Sequence, residues 1–209
     1  MTTLDYIVAK YELDLDQGLP IEIPDTGRDT LARIYRELGF KVGAEIGVEA
    51  GLYSEVLCRE NPTAHLYCID SWLQYAGYRT YVPQERVDGF FLETLKRLRP
   101  YNSTVIKSYS ADAVKLFDDN SLDFVFLDGN HSYDYVLEDI NLWSKKVKHG
   151  GIISGHDYIK RAPPSTHDVI GAVNFYTKTN NINPWFLLGR KEKRKGEIRD
   201  QSRTWFFVK

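Results

Sequence analysis

Apolar positions along the chain follow two periods in alternation. Leu31, Ile34, Tyr35 and Leu38 recur at helical spacing with Arg and Glu between them, and Gly39 ends the run. Short apolar runs follow at 42–48, 65–70, 104–107, 122–128 and 151–154, each compact enough to be a strand. Between them lie helical patterns at 53–60, 85–99, 111–117, 133–147 and 168–179; Pro62 and Pro100 stop two of these. Strands separated by helical crossovers predict a parallel sheet covered on both faces. Two last strands, 184–188 and 204–208, are joined by a charged link without a helical pattern, so they are expected as an antiparallel pair at one edge. The predicted fold class is therefore α/β, a three-layer sandwich around a seven-stranded, mostly parallel sheet. The first 25 or so residues are mixed and carry turn signals at Gly18-Leu-Pro20 and Ile23-Pro24-Asp25. Residues 1–40 read as an N-terminal extension or cap on a core domain over 41–209.

Composition narrows the classes. A chain of 209 residues suits one large domain. No apolar run reaches the ~18 residues of a membrane span, and the N-terminus lacks a basic segment followed by an apolar one, so no secretory signal is expected. Lys and Arg number 27 against 29 Asp and Glu, a net charge of −2, which argues against a nucleic-acid partner. Five basic residues in the six from Arg190 to Lys195 read as a solvated hairpin tip, diluted by Glu192, Glu197 and Asp200. Cys58 and Cys68 cannot make a disulfide framework, and no Cys-x-x-Cys pair exists for zinc; a reducing, cytoplasmic setting is the expectation.

Open α/β sheets bind ligands beyond the carboxyl ends of their strands, and four strand ends here carry chemistry. Glu45-Ile-Gly-Val-Glu-Ala-Gly51 is a glycine turn flanked by carboxylates, which would repel a pyrophosphate and accept a cation. It is not the Gly-x-Gly-x-x-Gly dinucleotide fingerprint, which weighs against an NAD(P)-dependent oxidoreductase. Asp70 lies 23 positions after Gly47, where an acidic residue can accept both ribose hydroxyls; it also suits a helix cap. Asp128 ends the most apolar strand, with Gly129 and His131 following, and the fifth strand ends in His156-Asp157. Two carboxylates and an imidazole can hold a divalent cation or form a His–carboxylate acid/base pair.

In this order and at these spacings, Glu45-Ile-Gly-x-x-x-Gly51, Ile69-Asp-Ser-Trp72, Phe126-Leu-Asp-Gly-x-His-x-Tyr133, Leu142-Trp143 and Gly150-Gly-Ile-x-x-Gly-His-Asp-Tyr158 resemble the class I S-adenosylmethionine-dependent methyltransferases. The resemblance is to the branch with the cephalosporin-hydroxylase-like and macrocin-type O-methyltransferase proteins, and it covers roughly residues 40–180. It implies a Rossmann-like fold closed by an antiparallel strand pair, S-adenosyl-L-methionine (SAM) as cofactor, and O-methylation of a small-molecule hydroxyl on a sugar, phenol or natural product. It also implies roles: Glu45 at the methionyl amino group, Gly47 and Gly51 under the methionyl part, Asp70 with Ser71 at the ribose, Tyr109 and Ser110 at the adenine, and Asp128 on the sulfonium side. His131 or His156 would be the base. In metal-dependent relatives such as catechol O-methyltransferase, magnesium gathers the acceptor hydroxyls; Asp128 and Asp157 match two of those ligand positions, Tyr158 stands where that family has an amide, and His156 is the substitute ligand for Mg2+ or another divalent cation. Acceptor contacts are expected from Trp72, Tyr75, Tyr78 and Tyr81 and from the loop holding His167, while the oligomeric state, homo-oligomer or not, stays open. The rival readings are a non-catalytic SAM-binding module and the oxidoreductase.

Overall fold

A computed structural model describes residues 1–75, 82–162, 165–192 and 194–209. Among them the strands are β1 (Ile21–Ile23), β2 (Val42–Ile46), β3 (His65–Asp70), β4 (Ser103–Lys107), β5 (Leu122–Leu127), β6 (Val147–Gly155), β7 (Phe186–Leu188) and β8 (Trp205–Val208). The helices are α1 (Thr3–Tyr11), α2 (Arg28–Glu37), α3 (Leu52–Glu60), α4 (Gln84–Leu98), α5 (Ser110–Ala113), α6 (Tyr133–Trp143) and α7 (Val169–Thr179). One sheet runs in the order β1-β7-β8-β6-β5-β2-β3-β4. From β6 to β4 it is parallel, as the alternating pattern requires.

The sheet is buried on both faces because successive residues point to opposite sides. On β5, Phe124 and Phe126 join the core under α2 and α3, while Val125 and Leu127 join the core under α6 and α7. Fully burying one such side chain contributes ~1.5–3 kcal/mol. Gly43 on the neighbouring strand makes room for this: a Cβ there would lie 2.1 Å from Phe124 Cζ. Tyr35 stacks on Phe124 with ring centroids 4.0 Å apart and meets Ser154 Oγ at 2.8 Å, so α2 is locked to the sheet centre.

Several features differ from the sequence expectation. The sheet has an eighth strand, β1, parallel to β7 with Ile21 and Ile23 buried. The terminal pair is therefore not at the edge: β8 lies antiparallel between β6 and β7, and β1 covers β7. The segment before it is also ordered. Thr2 and Asp5 form a reciprocal capping box that starts α1, and Ile7 is its one buried residue. Residues 110–117 form one α-helical turn and a 3-10 turn, Val114–Leu116, rather than a single helix.

Candidate active site

Strand register brings the chemistry together. Ile46 is level with Ile69 on β3 and Leu127 on β5, and Leu127 is level with Gly155 on β6. The next residues, Gly47, Asp70, Asp128 and His156, must then emerge along one edge. Backbone bonds carry the ladder one step further: Gly47 N–H donates to Ile69 O at 2.8 Å, Asp128 N–H to Ile46 O at 2.7 Å, and His156 N–H to Leu127 O at 3.0 Å. Gly47 is required here. Its φ is +91°, and a Cβ would lie 2.2 Å from Asp128 O. Two cavities, of about 380 and 280 Å³, open on either side of it, the first including Glu45, Asp128 and Asp157 and the second Asp70, Tyr109 and Asp139; both share Gly47 and Asn130.

The first cavity carries charges of both signs. Glu45 is 1% exposed and accepts a very short hydrogen bond from Ser54 Oγ. Burial, reinforced by the Asp128 and Asp70 charges and only partly offset by Ser54 and Arg28, pushes its carboxyl up to about 8. His131 Nε2 sits between two carboxylates, 3.1 Å from Asp128 Oδ1 and 3.3 Å from Asp157 Oδ2. Burial works against charge on the ring, but these neighbours outweigh it and raise the imidazole above its ordinary value. Asp157 is held well below the usual carboxylate range despite burial, by His156 and the charge of His131. Arg161 pairs with its Oδ1 at 3.0 Å.

The second cavity is quieter. Asp70 accepts the Glu49 N–H at 3.0 Å and the Trp72 N–H at 2.8 Å, which ties the glycine turn to the loop after β3. Ser71, Tyr109 and Ser110 line the cavity beside it. At its base, Ser110 Oγ donates to Asp139 Oδ1 and accepts Trp143 Nε1–H at 2.8 Å. Burial pushes the Asp139 carboxyl up to about 7. Asp139 and Tyr135 were not among the sequence candidates; both lie on the first turns of α6, one and two helical turns past the Asp128 loop, and a search along the inward face of that helix could have found them.

Most sequence candidates converge, with three shifts. Glu45, Gly47, Asp128, His131 and Asp157 line the first cavity, and Asp70, Ser71, Tyr109 and Ser110 the second. Gly51 lines neither; it starts α3 with a φ of +73°, against Thr94 of α4. Among the described residues, the side chains with potential ligand atoms all within 4.8 Å of one another are Asp128, His131 and Asp157; His156, the sequence candidate, is not in that set. His156 lies behind them, its Nδ1 3.8 Å from both carboxylates and its Nε2 buried without a partner. Trp72 is fully buried, packs on Phe91 and donates to Glu49 O, so it is core rather than an acceptor contact. Tyr75 contacts Tyr109 and Tyr135 at the second cavity. Tyr78, Tyr81 and, on the basic tip, Lys193 lie outside the described residues. His167 lines the first cavity, its ring centroid 5.0 Å from that of His131.

A family model described as a methyltransferase domain matches residues 44–158, more than half of the chain, from within β2 to Tyr158. The chain belongs to that methyltransferase family. No curated protein sequence matches it. Its fold is shared with solved O-methyltransferases: one from Bacillus cereus in complex with SAH (TM-score 0.60, 13% identity, 99% of this chain and 89% of that one). Another is TomG from Streptomyces achromogenes, involved in tomaymycin synthesis and solved with SAM (TM-score 0.61, 16% identity, 97% and 86%). Among the described residues, no helix is long and apolar enough to cross a membrane.

Proposed function

We propose that the protein transfers a methyl group from SAM to a hydroxyl of a small molecule. The observation that carries this reading is the acidic triplet at adjacent strand ends: Glu45, Asp70 and Asp128 flank one glycine turn, with a cavity on each side. A nucleoside carrying positive charge suits that set, whereas a dinucleotide pyrophosphate would be repelled by it. Together the cavities have the scale of a small-molecule cofactor site, ~300–1,000 Å³. SAM bound there supplies an activated methyl group on a cationic sulfur. The chain's own work is then to align the acceptor and manage its proton. Asp70 accepts ribose hydroxyls, Tyr109 and Ser110 border the base, and Glu45 accepts from the ammonium.

For the acceptor's proton, His131 is the group in place, oriented by Asp128 and Asp157. The same three side chains favour a second, metal-assisted form of the proposal. Their ligand atoms lie within 4.8 Å of one another, a donor set that suits a divalent cation able to acidify the acceptor hydroxyl. Chelation decides between the forms: turnover unchanged by EDTA excludes the second. The whole reading is tested by calorimetric titration with SAM and with NAD, followed by labelled methyl transfer over a panel of phenols, catechols and sugars. SAM binding with transfer to one acceptor class is the expected result. Binding without transfer to any acceptor favours a binding module, and NAD binding in place of SAM overturns the proposal.

A further inference from the structure

Arg28 opens α2, in the segment before the matched methyltransferase region, and its side chain reaches the first cavity. Its position is fixed from three directions. The backbone N–H donates to Asp200 Oδ2 at 2.6 Å, and Gly27 leaves that carboxylate room, since a Cβ there would lie 2.7 Å from Asp200 Oδ1. The backbone carbonyl accepts from Tyr53 Oη at 2.7 Å. The guanidinium lies over the Tyr53 ring, 5.1 Å from its centroid. Yet no described residue accepts a hydrogen bond from that guanidinium; the nearest carboxylate oxygen, Asp128 Oδ2, is 3.9 Å away. Arg161, a second arginine on the cavity among the described residues, is engaged by Asp157 at 3.0 Å.

A stacked guanidinium with its donors unspent, aimed into a cavity, is a receptor for a planar anion. Glu45 lines the same cavity and feels the Arg28 charge. One acceptor carboxyl and one guanidinium sharing a cavity match an α-amino acid, whose ammonium and carboxylate sit on a single carbon. We propose that Arg28 binds the α-carboxylate at the amino-acid end of the cofactor, opposite Glu45 at its ammonium. This rests on the SAM reading above and assigns a residue that lies outside the family's matched span. It makes α2, and with it the N-terminal segment, part of the cofactor site rather than a cover over it.

The test is calorimetric titration of the full chain with SAM, with decarboxylated SAM and with 5′-methylthioadenosine, for the unmodified protein and for Arg28→Ala, Arg28→Gln and Arg28→Lys. A charge-assisted pair of this kind is worth ~10–100-fold in affinity. The unmodified protein should prefer SAM over its decarboxylated form by about that factor. Arg28→Ala and Arg28→Gln should lose the preference, weakening SAM about 10–100-fold while changing the other two ligands by less than about threefold; Arg28→Lys should keep part of it. Equal weakening of all three ligands would make Arg28 a structural residue, and unchanged SAM binding would move the carboxylate elsewhere; either result overturns the proposal. An unmodified protein that binds SAM and decarboxylated SAM equally also overturns it while leaving the cofactor reading intact. Failure to bind any of the three overturns the cofactor reading itself.

Discussion

The two cavities that meet at Gly47 handle charge in opposite ways. The first holds carboxylates, guanidinium groups and imidazoles within ion-pair distance, so its charges answer one another across the open space. The second confines the buried carboxyl of Asp139 to a chain of hydrogen bonds through Ser110 to Trp143, and sets tyrosines along its wall. The first selects by charge pattern, the second by shape and hydrogen-bond edges. A ligand with a charged, reactive end and a neutral heterocyclic end fits the pair in one orientation only.

The harshest way to break this arrangement is to remove the hinge both cavities share. Gly47→Ala places a Cβ against Asp128 O in a backbone conformation that side chains resist. The expected cost is about 3 kcal/mol or more, read by denaturant unfolding, together with loss of cofactor binding. A cost below about 1 kcal/mol would mean that the turn is looser than its contacts imply.

Asp70→Asn attacks the second cavity, which Asp70 lines. The amide oxygen can still accept the Trp72 N–H, but the charge that holds the Glu49 N–H and would hold a ribose is gone. Affinity for SAM and for methylthioadenosine should fall together, by about 10–100-fold. This is the converse of the Arg28 pattern, in which only the ligand with a carboxylate suffers. If Asp70→Asn spared methylthioadenosine, the assignment of nucleoside and amino-acid ends to the two cavities would be reversed.

The pH dependence of stability separates the cavities by titration. The Glu45 carboxyl, pushed up to about 8, keeps its proton in the folded state where the unfolded chain has lost it. The folded state therefore binds more protons between the ordinary carboxylate value of 4.5 and about pH 8, and stability falls as pH rises through that window. Asp139 acts in the same direction, but its window, from 3.8 to about 7, closes a unit lower. Unfolding free energies at pH 5 and pH 8 should thus differ by about 2 kcal/mol or more from Glu45, and Glu45→Gln should flatten the upper part of the slope. An ammonium beside Glu45 favours its ionised form, so cofactor binding near pH 7 should release protons, seen as a buffer-dependent heat in calorimetry. Proton uptake, or a slope unchanged by Glu45→Gln, would contradict the placement.

How much of this was readable in the chain follows from where the signal resides. Among strands β2 to β6, β5 announces itself most plainly, because a strand buried on both faces is apolar at nearly every position, as 122–127 shows. The residues at or just beyond the strand ends inherit their place from the register, so Glu45, Asp70, Asp128 and Asp157 could be named as a group. Strand β1 escaped because three residues, Ile21-Glu-Ile23, between turn signals contain too little periodicity, and its pairing with β7 spans most of the chain. Arg28 escaped for the same reason: its cavity exists only once α2 is packed beside α3. The choice between His131 and His156 depended on which way each ring turned, and Trp72 and Tyr75 looked alike in sequence although one is core and the other cavity wall. Those are matters of side-chain direction at the ends of elements, where neither period applies.

Tyr75 gives the mildest test and bears on that last distinction. Its ring lies 5.8 Å from Tyr109 and 6.1 Å from Tyr135, and its hydroxyl accepts from Asn130 Nδ2 at 3.4 Å, all on the second cavity. As a half-exposed wall it should contribute to the cofactor through ring contact rather than to the fold. Tyr75→Ala is expected to weaken SAM and methylthioadenosine about 3–10-fold, the scale of ~0.5–1.5 kcal/mol for such contacts, with little change in melting temperature. If it instead raised the KM of the methyl acceptor and left cofactor affinity alone, the loop after β3 would belong to the acceptor, as the sequence expectation had it. The aromatic wall would then close the charged cavity rather than the neutral one.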